Sequence, residues 1–275
     1  MNIRWFALSV LVAGATACSS EPAPAPSASS PASASPGLGP VDGMYSVAGH
    51  RVYVECSGEG PTTVVLLHGL GGNSSDWFPT RSGIPELRTC VYDRVNAGRS
   101  ELDPDRRTAT DAAAELGGVL DVVSAGSPVV LVGHSFGGML ALLYTAINPG
   151  DVRGILLVDA TLPFEADLDP PELRERIRAE LDDNPEHLDF YEAYRETGAV
   201  LGRLPAVPIT YLYGALQDLA PEWAPGAYED ALHEFVDRLP RGTLVEEQSG
   251  HEMPIEIPDE VAAQTRKLVQ LVQAR

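Results

Sequence analysis

The sequence predicts an α/β domain of eight strands, most of them parallel and flanked by helices, with a helical insertion after the sixth strand. Three observations carry this. Short β-branched runs such as Thr63–Leu67, Val129–Val132 and Ile209–Tyr213 alternate with helical stretches, the pattern of a buried parallel sheet. One of these runs, Val129–Val132, ends at a glycine and is followed within a few residues by the apolar helical stretch Met139–Ala146. Beyond residue 40 the chain is long enough for one large domain, and 44% hydrophobic content supplies its core.

The elements follow in order. A hairpin from Tyr45 to Cys56, turning at Ala48-Gly49-His50, gives two antiparallel strands. Next come strands Thr63–Leu67 and Cys90–Asp93, helix Thr108–Ser124, strand Val129–Val132, the helix after it, and strands Gly154–Asp159, Ile209–Tyr213 and Thr243–Glu247. Helix Asp259–Ala274 closes the chain. The segment 162–205 is far longer than a crossover needs and holds two helical patterns, Pro171–Asp182 and Pro185–Leu201.

Residues 1–17 read as an export signal: Arg4 is a minimal positive region, Trp5 to Ala15 is apolar but too short to span a bilayer, and small residues lead to Cys18. Ala15-Thr16-Ala17 suits ordinary cleavage, whereas Ala17-Cys18 suits processing with lipid added to the cysteine. Ser, Pro and Ala fill 18 of the 22 positions from 19 to 40, so residues 18–40 are expected to be a lipidated cysteine and a disordered linker reaching up to about 70 Å. A membrane-anchored enzyme needs such a spacer, which favours lipidation of Cys18 and an outward-facing membrane lipoprotein. Secretion is the alternative if Cys18 is not acylated. Residues 41–275 form the folded domain. A net charge of −20 disfavours nucleic acid and anionic lipid surfaces as partners.

The chemistry lies in Gly133-His134-Ser135-Phe136-Gly137-Gly138, a G-x-S-x-G pattern between strand and helix. Such a turn is tight enough to lift a serine hydroxyl above the sheet. A serine needs a histidine base and an acid that orients it. His251 lies in the loop after Thr243–Glu247, and Asp218 lies just past Ile209–Tyr213, so the chain order is Ser135, Asp218, His251. Asp159, at the end of the sixth strand, is the alternative acid, and Glu222 is a remote third. The glycine-rich segment His68-Gly69-Leu70-Gly71-Gly72 follows a buried strand and can aim the Leu70 N–H, together with that of Phe136, at an oxyanion. His68 is assigned a structural part in that loop.

With HGLGG, YDRVNAGRS, GHSFGG, the Asp218 loop and SGHEMPIEIP in this order, the chain resembles the α/β-hydrolase superfamily, serine esterase type, over about residues 44–273. It also resembles a group of exported actinobacterial hydrolases in carrying Cys56 before Ser57-Gly58-Glu59-Gly60 and Cys90 before Val91-Tyr92-Asp93-Arg94. One departure is Asn96, where family members often carry a glycine; Asn tolerates left-handed angles better than other non-glycine residues. The resemblance implies the strand order 1-2-4-3-5-6-7-8, which makes the strands of Cys56 and Cys90 neighbours, and it implies that the insertion 162–205 is a small helical cap over the active site, with Phe164, Phe190, Tyr191 and Tyr194 joining Trp77, Phe78 and Trp223 around a substrate pocket. With Cys18 acylated, Cys56 and Cys90 are an even pair in an oxidising compartment, so a disulfide is expected.

The implied activity is hydrolysis of a small-molecule carboxylic ester through an acyl-enzyme, with no metal or organic cofactor. Other triad chemistry on the same fold, such as carbon–carbon bond hydrolysis, lactone opening or a small peptidase, is the alternative. An anchored ligand-binding module with little turnover is a third.

Overall fold

The computed structural model describes residues 40–216 and 226–274. The export signal, Cys18, nearly all of the Ser/Pro/Ala tract, Asp218, Glu222 and Trp223 lie outside them. The sheet has eight strands: β1 (Asp42–Val47), β2 (His50–Ser57), β3 (Thr63–Leu67), β4 (Arg88–Asp93), β5 (Val129–His134), β6 (Val152–Val158), β7 (Ile209–Gly214) and β8 (Gly242–Glu247). Their order is β1-β2-β4-β3-β5-β6-β7-β8. β1 and β2 pair antiparallel, as do β2 and β4, and every later pairing is parallel. Helices α1 (Phe78–Gly83), α2 (Ala109–Ser124), α3 (Phe136–Ile147), α4 (Glu165–Leu168), α5 (Arg174–Asp182), α6 (Phe190–Gly198), α7 (Ala227–Arg238), α8 (Met253–Glu256) and α9 (Pro258–Gln273) complete the described elements.

Strand alternation sorts the core into two layers. Val65, Leu67, Leu131 and Leu157 pack with α2 and α3 on one face, whereas Val64, Leu66, Val132 and Leu156 pack with Val261, Leu268 and Val272 of α9 on the other. Both faces are therefore apolar, which explains the unbroken hydrophobic runs of the parallel strands. Cys56 and Cys90 stand opposite each other in the β2–β4 register and are joined by a disulfide. Linking residues 34 apart restrains the unfolded chain by about 4 kcal/mol on the chain-entropy account.

Besides short helices that the sequence did not announce (α1, α4 and α8) and a later start of α5, at Arg174 instead of Pro171, three departures from the sequence expectations bear on the argument. α3 begins at Phe136 and takes in Gly137 and Gly138, because the break in the backbone falls on Ser135 itself. The expected helix from Pro185 begins only at Phe190: His187 adopts φ 54°, and Leu188 bridges in parallel to Arg107. The six residues 184–189 thus form a strap laid against the loop after β4. Finally, α7 buries only Leu232 and Val236, too sparse an apolar stripe to stand out from the sequence.

Candidate active site

Ser135 sits between β5 and α3 with φ 50° and ψ −123°, a backbone conformation that costs a non-glycine residue roughly 1–3 kcal/mol. Its neighbours impose it. A Cβ on Gly133 would lie 2.4 Å from the Gly137 carbonyl oxygen, and one on Gly137 would lie 2.3 Å from that of Leu67. Gly138, outside the minimal motif, is equally closed, since a Cβ there would stand 2.2 Å from Ala160 Cβ. The Ser135 amide donates to Val158 O and its carbonyl accepts from Thr161 N–H, which moors the turn to the end of β6. Thr161 Oγ1 lies 3.5 Å from Ser135 Oγ.

His251 enters from the loop after β8. Glu256 holds that loop, its Oε2 accepting from Ser249 Oγ at 2.9 Å and from Gly250 N–H at 2.7 Å. The His251 carbonyl accepts from His134 Nε2 at 2.8 Å, so the x residue of the motif props the His251 loop. Burial lowers the pKa of His134 to about 4, which keeps it neutral. His251 Nδ1 lies 2.5 Å from Asp159 Oδ2, and this bond raises the histidine pKa against the opposing effect of burial. The other carboxylate oxygen of Asp159 accepts from Gly214 N–H at 3.2 Å, and the residue itself has φ 44°. The carboxylate that meets His251 is thus Asp159, which the sequence placed second; Asp218, placed first, lies outside the described residues.

The glycine-rich loop after β3 passes beside the serine. A Cβ on Gly69 would lie 3.4 Å from Ser135 Cβ. Phe136 opens α3, where first-turn N–H groups have no acceptor within the helix and the helix dipole favours negative charge. His68 is buried with its pKa lowered to about 4, again by burial, and it serves the loop. Its Nε2 accepts from Arg94 N–H, so Nδ1 carries the proton and donates to Gly69 O at 2.8 Å.

A cavity of about 160 Å³ adjoins the site, walled by Asp159, Thr161, His251, Glu165, Tyr194 and Tyr228 together with Asp169, Ile177 and Leu181. Burial pushes the Glu165 carboxyl up to about 8, so the group is largely uncharged at neutral pH. Of the aromatic residues expected here, Tyr194 takes part. Phe164 and Tyr191 line a separate cavity of about 570 Å³ between α6 and α7. Phe190 packs on Phe136 in the core, Trp77 is fully buried beneath the sheet, Phe78 is 69% exposed and Trp223 lies outside the described residues. Sequence alone gave no notice of Glu165, whose Oε1 accepts from Leu162 N–H and which therefore passes for an ordinary helix-capping acid. Among the described residues, the grouping with metal-ligand potential is His134, His251 and Glu252, and two of its nitrogens are already engaged in the hydrogen bonds above.

Comparison with known proteins identifies the family and the fold. A model of the alpha/beta hydrolase family matches residues 64–264. Lipase LipV of Mycobacterium tuberculosis is 34% identical over 142 residues, covering 51% of this chain and 52% of the lipase, so the chain spans about half the length of that curated relative. A thermophilic esterase from Thermogutta terrifontis superposes with a TM-score of 0.59 at 21% identity, over 81% of this chain and 94% of the esterase. The enol-lactonase of Burkholderia xenovorans does so with a TM-score of 0.60 at 17% identity, over 82% and 99%. These two superpositions speak to fold alone. The family model, however, runs from β3 through the Ser135 turn and the His251 loop into α9, and on that match the chain belongs to the alpha/beta hydrolase family.

Proposed function

We propose that the protein is a serine hydrolase of small carboxylic esters. In this reading Ser135 Oγ attacks the carbonyl, His251 takes the proton and returns it to the leaving alcohol, and Asp159 holds the imidazole in the correct tautomer. The N–H groups of Leu70 and Phe136 receive the oxyanion. The observation that carries the reading is the Asp159–His251 hydrogen bond beside a serine forced into a strained turn. The lipase and esterase names among its relatives lend support. Labelling of Ser135 by a fluorophosphonate, together with turnover of p-nitrophenyl esters, tests it; a folded protein that does neither is a binding module.

The cavity narrows the substrate class. Its volume is near that of a cavity known to admit a benzene ring, so it suits a short acyl or small aromatic group. Its walls carry three carboxyl groups and, among the described residues, no lysine or arginine. An anionic substrate would lose water there without gaining a cation, a costly transfer. p-Nitrophenyl butyrate is therefore expected to exceed both the dodecanoate and the negatively charged hemisuccinate in kcat/KM, the latter by at least about tenfold, or about 1.4 kcal/mol. Equal rates for butyrate and hemisuccinate would remove the acidic pocket from the account.

For location, we propose export with lipidation of Cys18, the motivation being a cysteine set between an apolar signal and a Ser/Pro/Ala spacer. No helix among the described residues is long and apolar enough to cross a membrane. The protein should sediment with membranes through a high-salt wash and be released active by proteolysis within residues 19–40. Recovery from the medium with an unmodified Cys18 as first residue would establish ordinary secretion instead.

A further inference from the structure

Beneath the oxyanion loop lies a buried ion pair that the triad does not use. Arg94, from the loop after β4, and Glu186, from the strap in the insertion, both have fully buried side chains. The guanidinium donates twice to Glu186, from Nε to Oε2 and from Nη2 to Oε1, each at 2.7 Å. It also donates from Nη1 to His68 O and from Nη2 to Gly69 O, again each at 2.7 Å. Glu186 Oε1 accepts from Gly71 N–H at 2.8 Å. Asn96, the residue that replaces a frequent glycine, has φ 70° and donates from Nδ2 to the Glu186 carbonyl at 3.2 Å and to Asp103 O at 2.9 Å. Its side chain thereby ties the strap to the loop after β4.

Peptide planarity turns these contacts into a statement about the site. Gly69 C=O and Leu70 N–H belong to one trans peptide unit, so they point in opposite directions. Three donors fix the carbonyl: Arg94 Nη2, His68 Nδ1 and Gly72 N–H. With the carbonyl held into the protein, the Leu70 N–H is held on the other side. A buried ion pair is a poor source of net stability, because an apolar replacement of similar volume is often neutral or better. What the forked geometry supplies is direction.

We infer that Arg94 and Glu186 are positioning residues that aim the Leu70 N–H at the oxyanion, so that the seating of the insertion's strap on the core sets the oxyanion hole. The kinetic part of this rests on Ser135 being the nucleophile; the structural part does not.

Two readouts on the full-length protein separate them. Glu186→Gln keeps the shape but weakens the fork, and Asn96→Gly loosens the strap at a position whose backbone suits glycine, so it serves if the first variant does not fold. Amide exchange of the segment 66–76 should be at least about tenfold faster in Glu186→Gln and faster to a smaller degree in Asn96→Gly. Turnover per site titrated with fluorophosphonate should fall by about 10- to 100-fold in Glu186→Gln with KM within about threefold, and affinity for a trifluoromethyl ketone should fall in parallel, since loss of one oxyanion donor costs about 10²–10³ in kcat. Asn96→Gly should show the same pattern, several-fold in size. Unchanged exchange in whichever variant folds overturns the inference even if the wild type proves inactive. With an active wild type, a lower melting temperature alongside unchanged turnover per titrated site also overturns it, leaving the pair a purely structural one. A wild type that neither labels nor turns over an ester sinks the esterase reading alone, and the exchange result then decides the clamp.

Discussion

Asp159→Asn is expected to lower kcat for a p-nitrophenyl ester by on the order of 10³- to 10⁴-fold with the fold intact, and Asp218→Asn by less than about tenfold. Asp159 accepts from His251 Nδ1–H, which leaves Nε2 free to take the serine proton. An asparagine amide there can present a donor to Nδ1, moving the imidazole proton to Nε2 and disabling the base. The pH profile supplies an independent check. Because the Asp159 bond raises the His251 pKa above its ordinary 6.5, wild-type activity should be lost as the pH falls through a value above 6.5, where the base becomes protonated. In Asp159→Asn the main cause of the rise is gone while burial still lowers the pKa, so the acid limb of the residual activity should move downward. A larger loss in Asp218→Asn than in Asp159→Asn would return the acid to the segment after β7.

Ser135→Ala and Ser135→Gly should both abolish turnover, by on the order of 10⁶-fold, since each removes the nucleophile of one catalytic unit. They should differ in stability. Alanine inherits the strain of φ 50° at the turn, whereas glycine is free of it but gains entropy when unfolded. Net of these, Ser135→Gly should be the more stable by about 1 kcal/mol, read from urea midpoints at constant m. An alanine variant more stable than the glycine one would mean that the turn stores no strain at the serine, and turnover near the wild-type rate in either variant would remove Ser135 from the mechanism.

How far the site could be read from the sequence depended on the range of the interactions involved. The Ser135 turn is a local device: a strand, two glycines and a helix within a dozen residues dictate it, and both residue type and spacing show. His251 also follows from its place after a strand. The acid was harder, because Asp159 and Asp218 each follow a strand that ends on the same side of the sheet, and only the path of the His251 loop, set by Glu256 and His134, brings its ring to the end of β6. Glu165 and Glu186 were invisible for a related reason. In sequence they are two among 39 acidic residues in an acidic chain, and only the fold sets them apart, placing Glu165 in the cavity wall and Glu186 against Arg94. The strap at 184–189 was mistaken for helix because its polar and apolar spacing continues that of α6, whereas its conformation is fixed by backbone bonds between Arg107 and both His187 and Asp189. Asn96 is the opposite case: its left-handed angle was legible from residue type, and its grip on Glu186 was not.

The way the insertion is joined to the core bears on how the enzyme could be re-engineered. Thr161 and Glu165 wall the cavity within six residues of Asp159, and the strap holding Glu186 is built into the loop after β4. Neither stretch is a spare part. A chimaera that swaps the whole of 162–205 for a foreign lid would discard Glu165 and the partner of Arg94 together, leaving an arginine stranded under the glycine-rich loop after β3. By contrast α5 has no buried residue, so it is the module that tolerates exchange. Graft junctions therefore belong on either side of α5, after Asp169 and before Asn184, with Ile177 and Leu181 kept in the new lid because they line the cavity.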